Sequence, residues 1–220
     1  MSITTKDIVD AQLHIGTLKS EANPKTSKFW TDVINGVVVI NPESIVSQLE
    51  AAKNKIKKAK EQGKEILVVS EKKMYAEELE SLGAKLWFSY LNYKVPSWFL
   101  TNFDTLKKRI ESMNSMEKFL ETDAYRSLTK KEQLVYKRNL ARVFKIYKWV
   151  KNLSKKPDLV VVLDGLMMEN FVNEIEKQNE VDSILICGTN FPRWWKEDWL
   201  IVVNINSHKS IDFVLNSILS

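Results

Sequence analysis

Pro157-Asp158-Leu159-Val160-Val161-Val162-Leu163-Asp164 decides the fold: five apolar residues in succession, introduced by Pro-Asp and closed by an aspartate. A strand with one wet face alternates apolar and polar side chains. An unbroken apolar run has to be covered on both faces, the condition of a parallel sheet sandwiched by helices. Similar runs occur at Val37-Val38-Val39-Ile40, at residues 65–70 around Ile66-Leu67-Val68-Val69, at Leu86-Trp87-Phe88, at residues 183–187 and at residues 200–203. Strands of this kind, separated by helices, imply a doubly wound α/β domain.

The intervening segments carry helix signals. Asn41-Pro42-Glu43 supplies a capping Asn, a proline in the first turn and an acid that suits the helix dipole. Ile45, Leu49, Ala52, Ile56 and Ala59 then recur at helical spacing, and Gly63 is a natural stop. Further helices are expected at residues 5–14, at residues 72–82 with Gly83 as terminator, from about Met168 to Gln178, and from about Ser207 onward.

Residues 104–156 break this alternation. They hold fifteen Lys and Arg against six Asp and Glu, a local balance of +9 in a chain of net charge +5. Phe103, Leu106, Ile110, Met113, Met116 or Glu117, and Leu120 step by three and four. Thr129-Lys130-Lys131-Glu132 reads as a capping box, followed by Tyr136, Leu140, Val143, Tyr147 and Val150 at heptad spacing. The block is therefore expected to be two helices pairing as an antiparallel coiled-coil hairpin, with a short polar loop near residues 122–128. Acidic partners one turn away are largely missing from its second helix, so its outer lysines and arginines point to a polyanion.

Several classes are disfavoured. A hydrophobic content of 44% and a charged content of 28% fit a globular chain, and no apolar run approaches the roughly 20 residues that cross a bilayer. The start, with Asp7 and Asp10, shows neither a secretory signal nor a transit peptide. One cysteine and two histidines leave no disulfide and no zinc site of the usual type; Cys187 reads as a buried strand residue. No glycine-rich phosphate loop and no nucleophile elbow occurs, so no cofactor is expected. His14 and His208 read as residues at helix ends. An α/β nucleotide-binding enzyme would have to use strand ends at Ser70, Asp164 and Thr189, and Asp164 reads more simply as the cap of its own turn. A coiled-coil adaptor that binds another protein is the other alternative. Phe191-Pro192-Arg193-Trp194-Trp195, with Trp199, could stack on bases, on a partner, or fold over the sheet edge.

Several segments together resemble the small-subunit ribosomal protein two family. Ala11-Gln12-Leu13-His14-Ile15-Gly16 followed by Asn23-Pro24-Lys25 is similar to its A-x-x-H-F-G and N-P-K. Gly36 to Asn41, Ile66 to Lys72, Leu100-Thr101-Asn102-Phe103, Leu128-Thr129-Lys130-Lys131-Glu132, Pro157 to Asp164 and Gly188-Thr189-Asn190 match further segments in order. The departures are glycine losses: Ser70 stands in the family's V-G-T-K, Asn92 to Trp98 lacks a glycine pair, and Asn204-Ile205-Asn206 replaces P-G-N. Gly188 also stands where the family's D-T-N has its aspartate. With a chain that stops soon after its last helix, such drift resembles organelle-encoded versions, in the mitochondrial matrix, more than bacterial ones.

The resemblance implies a flavodoxin-like sheet over residues 1–103 and 157–220 with an inserted, projecting hairpin at 104–156. It also implies a non-enzymatic role in the small ribosomal subunit, with small-subunit rRNA and neighbouring ribosomal proteins as partners and neither membrane nor small-molecule substrate. The RNA-binding residues expected are Lys19, Lys25 and Lys28 in the N-terminal loop, and Lys107, Lys108, Arg109, Lys130, Lys131, Lys137, Arg138, Arg142, Lys145 and Lys148 in the hairpin.

Overall fold

The computed structural model describes residues 3–86, 88–151, 153, 155–178, 180–192 and 199–219. Its elements run α1 (Thr5–Asp10), β1 (Ile15–Leu18), β2 (Trp30–Ile34), β3 (Val37–Ile40), α2 (Pro42–Glu61), β4 (Ile66–Val69), α3 (Ala76–Leu86) and β5 (Ser89–Leu91). There follow α4 (Phe103–Phe119), α5 (Asp123–Arg126), α6 (Lys130–Tyr147), β6 (Leu159–Leu163), α7 (Glu169–Lys177), β7 (Asp182–Cys187), β8 (Leu200–Val202) and α8 (His208–Leu219).

Five strands form a parallel sheet in the order β5-β4-β6-β7-β8. Every residue of β4, β6 and β8 is buried, as the unbroken apolar runs require. Helices flank this sheet, and one apolar core extends from Ile8 to Leu219. Cys187 lies within it, a free thiol that burial pushes well above its ordinary pKa.

The run Val37–Ile40 departs from expectation. It is a strand, but it sits in a separate antiparallel sheet of order β1-β3-β2. Its burial alternates between half-buried and buried residues, so one face only is fully covered. The first helix also ends at Asp10 rather than near His14, because Gln12 adopts φ 61 and breaks the turn.

Gly63 and Gly83 behave differently. Gly63 has φ +64 and closes α2: its N–H donates to Lys60 O at 3.0 Å and Lys64 N–H to Ala59 O at 2.9 Å, the paired bonds of a Schellman end. Gly83 ends nothing. It lies buried inside α3, which continues to Leu86, so the strand expected at residues 86–88 begins instead at Ser89; Trp87 lies outside the described residues. A Cβ on Gly83 would stand 2.2 Å from Cε1 of Tyr90. Tyr90 cannot step aside cheaply, being 1% exposed and stacked on Trp149 at 4.9 Å. Gly83→Ala should therefore destabilise the fold by about 1–3 kcal/mol despite alanine's better helix propensity. Thermal unfolding should show a fall of several degrees; an unchanged midpoint would refute the close approach.

Candidate nucleic-acid interface

Residues 103–150 form two long helices joined through α5. They run antiparallel: Tyr136 Oη donates to Met116 O at 3.3 Å, while Tyr147 borders the same hollow as Thr105 and Leu106. Phe103, Leu106, Ile110 and Met113 of α4 are buried, facing Leu140 and Tyr147 of α6. The expected polar loop contains the single turn α5, with Tyr125 buried. Rings of Phe119, Tyr125 and Tyr136 meet there at 5.1–6.0 Å between centroids, and Gln133 Nε2 donates to Leu128 O at 3.0 Å. That aromatic knot closes the tip.

The start of α6 is held by the capping box its sequence promised. Thr129 Oγ1 accepts from Glu132 N–H at 3.3 Å, and Glu132 Oε2 accepts from Thr129 N–H at 2.9 Å and from its hydroxyl at 2.7 Å. These two donors hold the Glu132 carboxyl below the usual carboxylate range. From this fixed start Lys130, Lys131, Lys137, Arg138, Arg142, Lys145 and Lys148 fall within about 140° of arc at 100° per residue. The first six are exposed and Lys148 is half-buried. Among the described residues none of the seven forms an ion pair. Like charges at this spacing repel one another mildly, which an opposing polyanion relieves.

Two of these cations rest on aromatic rings, a feature charge counting missed. Lys145 Nζ lies 3.9 Å over Tyr93, which follows β5, and Lys148 Nζ lies 4.0 Å over Trp149. On α4, Lys108 and Arg109 are exposed and Lys107 is half-buried.

Lys19, Lys25 and Lys28 are exposed on the segment between β1 and β2. That segment is fastened to the end of β7: Asn23 N–H donates to Thr189 O at 2.8 Å, and Lys25 Nζ to Pro192 O at 3.4 Å. The Asn23-Pro24-Lys25 and Gly188-Thr189-Asn190 segments are thus in contact. Of the aromatic cluster, Phe191 is buried and Trp199 lies beneath Lys55 Nζ at 3.5 Å; Arg193, Trp194 and Trp195 lie outside the described residues.

The strand ends proposed for an enzyme are engaged in holding the fold. Ser70 Oγ accepts from Lys72 N–H at 3.2 Å, and Thr189 Oγ1 accepts from Thr17 N–H at 2.9 Å. Asp164, with φ 64, accepts from Met167 N–H at 3.3 Å and pairs with Lys72 Nζ at 3.3 Å. A cleft of about 590 Å³ lies beyond β4 and β6, where ligands of such sheets sit. Its two carboxylates, Glu71 and Glu174, accept from the backbone N–H groups of Val95 at 2.8 Å and Thr101 at 2.5 Å. They clamp a loop and leave no acid–base pair to name. Among the described residues no three His, Cys, Asp or Glu gather to hold a metal, and no helix is long and apolar enough to cross a membrane.

Comparison with known proteins is consistent across the chain. The sequence model of the family described as "Ribosomal protein S2" matches residues 8–220. "Small ribosomal subunit protein uS2" of Amoebophilus asiaticus is 28% identical over 190 residues, which cover 86% of this chain and 60% of that relative. "Small ribosomal subunit protein uS2c" of Cyanidium caldarium is 27% identical over 219 residues, covering 99% and 89%. "Small ribosomal subunit protein uS2" of Fusobacterium nucleatum subsp. nucleatum is 31% identical over 177 residues, covering 78% and 70%. The chain thus spans about three-fifths of the first of these relatives' length.

Proposed function

Because the chain belongs to the ribosomal protein S2 family, we propose that it is a structural constituent of the small ribosomal subunit, working in translation by binding rRNA and adjoining ribosomal proteins. The observation that carries the reading is the basic face of α6: six of its cations, continued by Lys148 just after it, without an ion pair among the described residues. In this reading α4 and α6 form a coiled-coil arm that projects from the sheet domain and lays that face along phosphates, gaining affinity as counterions are released. Lys19, Lys25 and Lys28 make a second contact, on the loop fastened to the C-terminal end of β7. Two such contacts read the shape of folded RNA rather than its sequence.

The sheet domain acts as the rigid base. Residues 157–220 hold ten acidic and four basic side chains, so this part faces solvent or a basic ribosomal protein rather than RNA. Catalysis has no part in this reading. The engagement of Ser70, Asp164 and Thr189 in structural hydrogen bonds supports that. The compartment we propose is the mitochondrial matrix, supported by the lost glycines at Ser70, Asn92 to Trp98 and Asn204-Ile205-Asn206.

Sedimentation tests the assignment. The tagged full chain should co-sediment with small subunits, and small-subunit rRNA should co-purify from the mitochondrial fraction. Recovery in the ribosome-free supernatant would overturn the ribosomal role, and recovery with ribosomes of another compartment would overturn the mitochondrial one.

A further inference from the structure

Where the basic face of α6 reaches the sheet domain, three elements border a shallow, open hollow of about 300 Å³. Ala76 and Glu80 of α3 form one wall, Asn92 and Tyr93 after β5 a second, and Phe144, Lys145, Lys148 and Trp149 the third. We propose that this hollow receives one unpaired RNA nucleotide, its base against the Tyr93 ring and its phosphate on Lys145 and Lys148. This rests on the rRNA-binding reading and adds to it a single-stranded subsite.

The chemistry of the walls carries the inference. A row of lysines on a convex helix can meet duplex phosphates, but rings set in a recess can be reached only by a base that has left its stack. Tyr93 is 42% exposed, so part of its ring faces solvent. Trp149 is held flat by its stack on Tyr90, with 22° between the planes. Trp149 carries Lys148 over its ring, so Tyr93 is the ring a base would stack on, and both ammonium groups stand beside it where a phosphate would fall. A base arriving on Tyr93 would displace the Lys145 ammonium by a few ångströms, toward the phosphate it brings. The size also fits, standing at the lower bound of small-ligand pockets, roughly 300 Å³.

The polar groups give the base edge a sign. Asn92 Nδ2 donates to Ala76 O at 3.1 Å, which leaves its carbonyl oxygen as an acceptor. The exposed Glu80 carboxylate on the opposite wall is a second acceptor. Two acceptors favour a base edge rich in donors, so guanine should be preferred over uracil.

The test uses the full chain and three RNAs of ten nucleotides: oligouridine, the same strand with one central guanosine, and a duplex. The guanosine strand should bind tightest of the two single strands. Tyr93→Leu keeps every charge and should weaken single-strand binding about tenfold, leaving duplex affinity and the salt slope unchanged. No loss, or an equal loss on the duplex, overturns the subsite while the general RNA reading stands. Absence of salt-sensitive binding to any RNA by the unaltered chain overturns both. Photo-crosslinking from Tyr93→p-benzoylphenylalanine in assembled subunits gives a second readout: an rRNA adduct is expected, and an adduct to a protein overturns the proposal.

Discussion

Replacing Lys137, Arg138 and Lys145 together by glutamate is expected to lower affinity for small-subunit rRNA by at least about 100-fold near physiological salt. Each cation that neutralises a phosphate contributes roughly 0.7–0.9 to the slope of log affinity against log salt, so removing three should flatten that slope by about 2–3. The three residues are exposed on one face of α6, and none has an ion-pair partner among the described residues to leave stranded. Folding should hardly change, because surface substitutions of this kind stay within about 0.5 kcal/mol. Titration at several salt concentrations, beside a thermal melt, separates lost binding from lost structure. Unchanged affinity and slope would mean that α6 faces something other than phosphate.

The largest effect on stability is expected from Lys72→Met. Lys72 Nζ stands 3.3 Å from Asp164 and donates at 2.9 Å to both Ile205 O and Asn206 Oδ1. One ammonium thus ties together the segments that follow β4, β6 and β8. Asp164 is 8% exposed, so removal of its partner leaves a nearly buried carboxylate uncompensated, at a cost of about 3 kcal/mol. The double change Lys72→Met with Asp164→Asn should recover part of that loss, since the stranded charge is then gone. Chemical denaturation of these two variants and of Asp164→Asn alone reads the coupling. Equal midpoints for Lys72→Met and the parent would show that the pair contributes nothing.

The parallel sheet was legible because burial on both faces leaves no choice of residue: Leu159 to Leu163 had to be apolar throughout. Val37–Ile40 looks the same in sequence yet pairs antiparallel in another sheet, since composition reports burial and not the direction of a neighbour. Gly63 and Gly83 both follow a helical pattern. Only the partner across the fold, Tyr90, shows that one is a terminator and the other a seat for a ring. At the candidate interface the cations of α6 were visible as a charge excess. The ring beneath Lys145 was not: Tyr93 comes from more than fifty positions upstream, and nothing in local periodicity announces it. Lys19, Lys25 and Lys28 were legible as cations of an N-terminal loop, but the bond from Asn23 to Thr189, which fastens that loop to the end of β7, joins positions 166 apart that no local pattern links.

The pairing of β4 with β6 bears on how the chain reaches this structure. Ile66 lies opposite Leu159, ninety-three positions later, so the centre of the sheet closes a long loop before it gains a single ladder bond. About half of that loop is the helical pair, whose contacts are local and which brings its own two ends together. Once it forms, the stretch left to search is roughly halved, and closure becomes easier by about 0.6 kcal/mol, or nearly threefold in rate. The helical pair is then a kinetic aid to the sheet: deleting the turn that joins its two helices should leave the finished sheet intact, whereas preventing the two helices from pairing should slow the sheet's assembly.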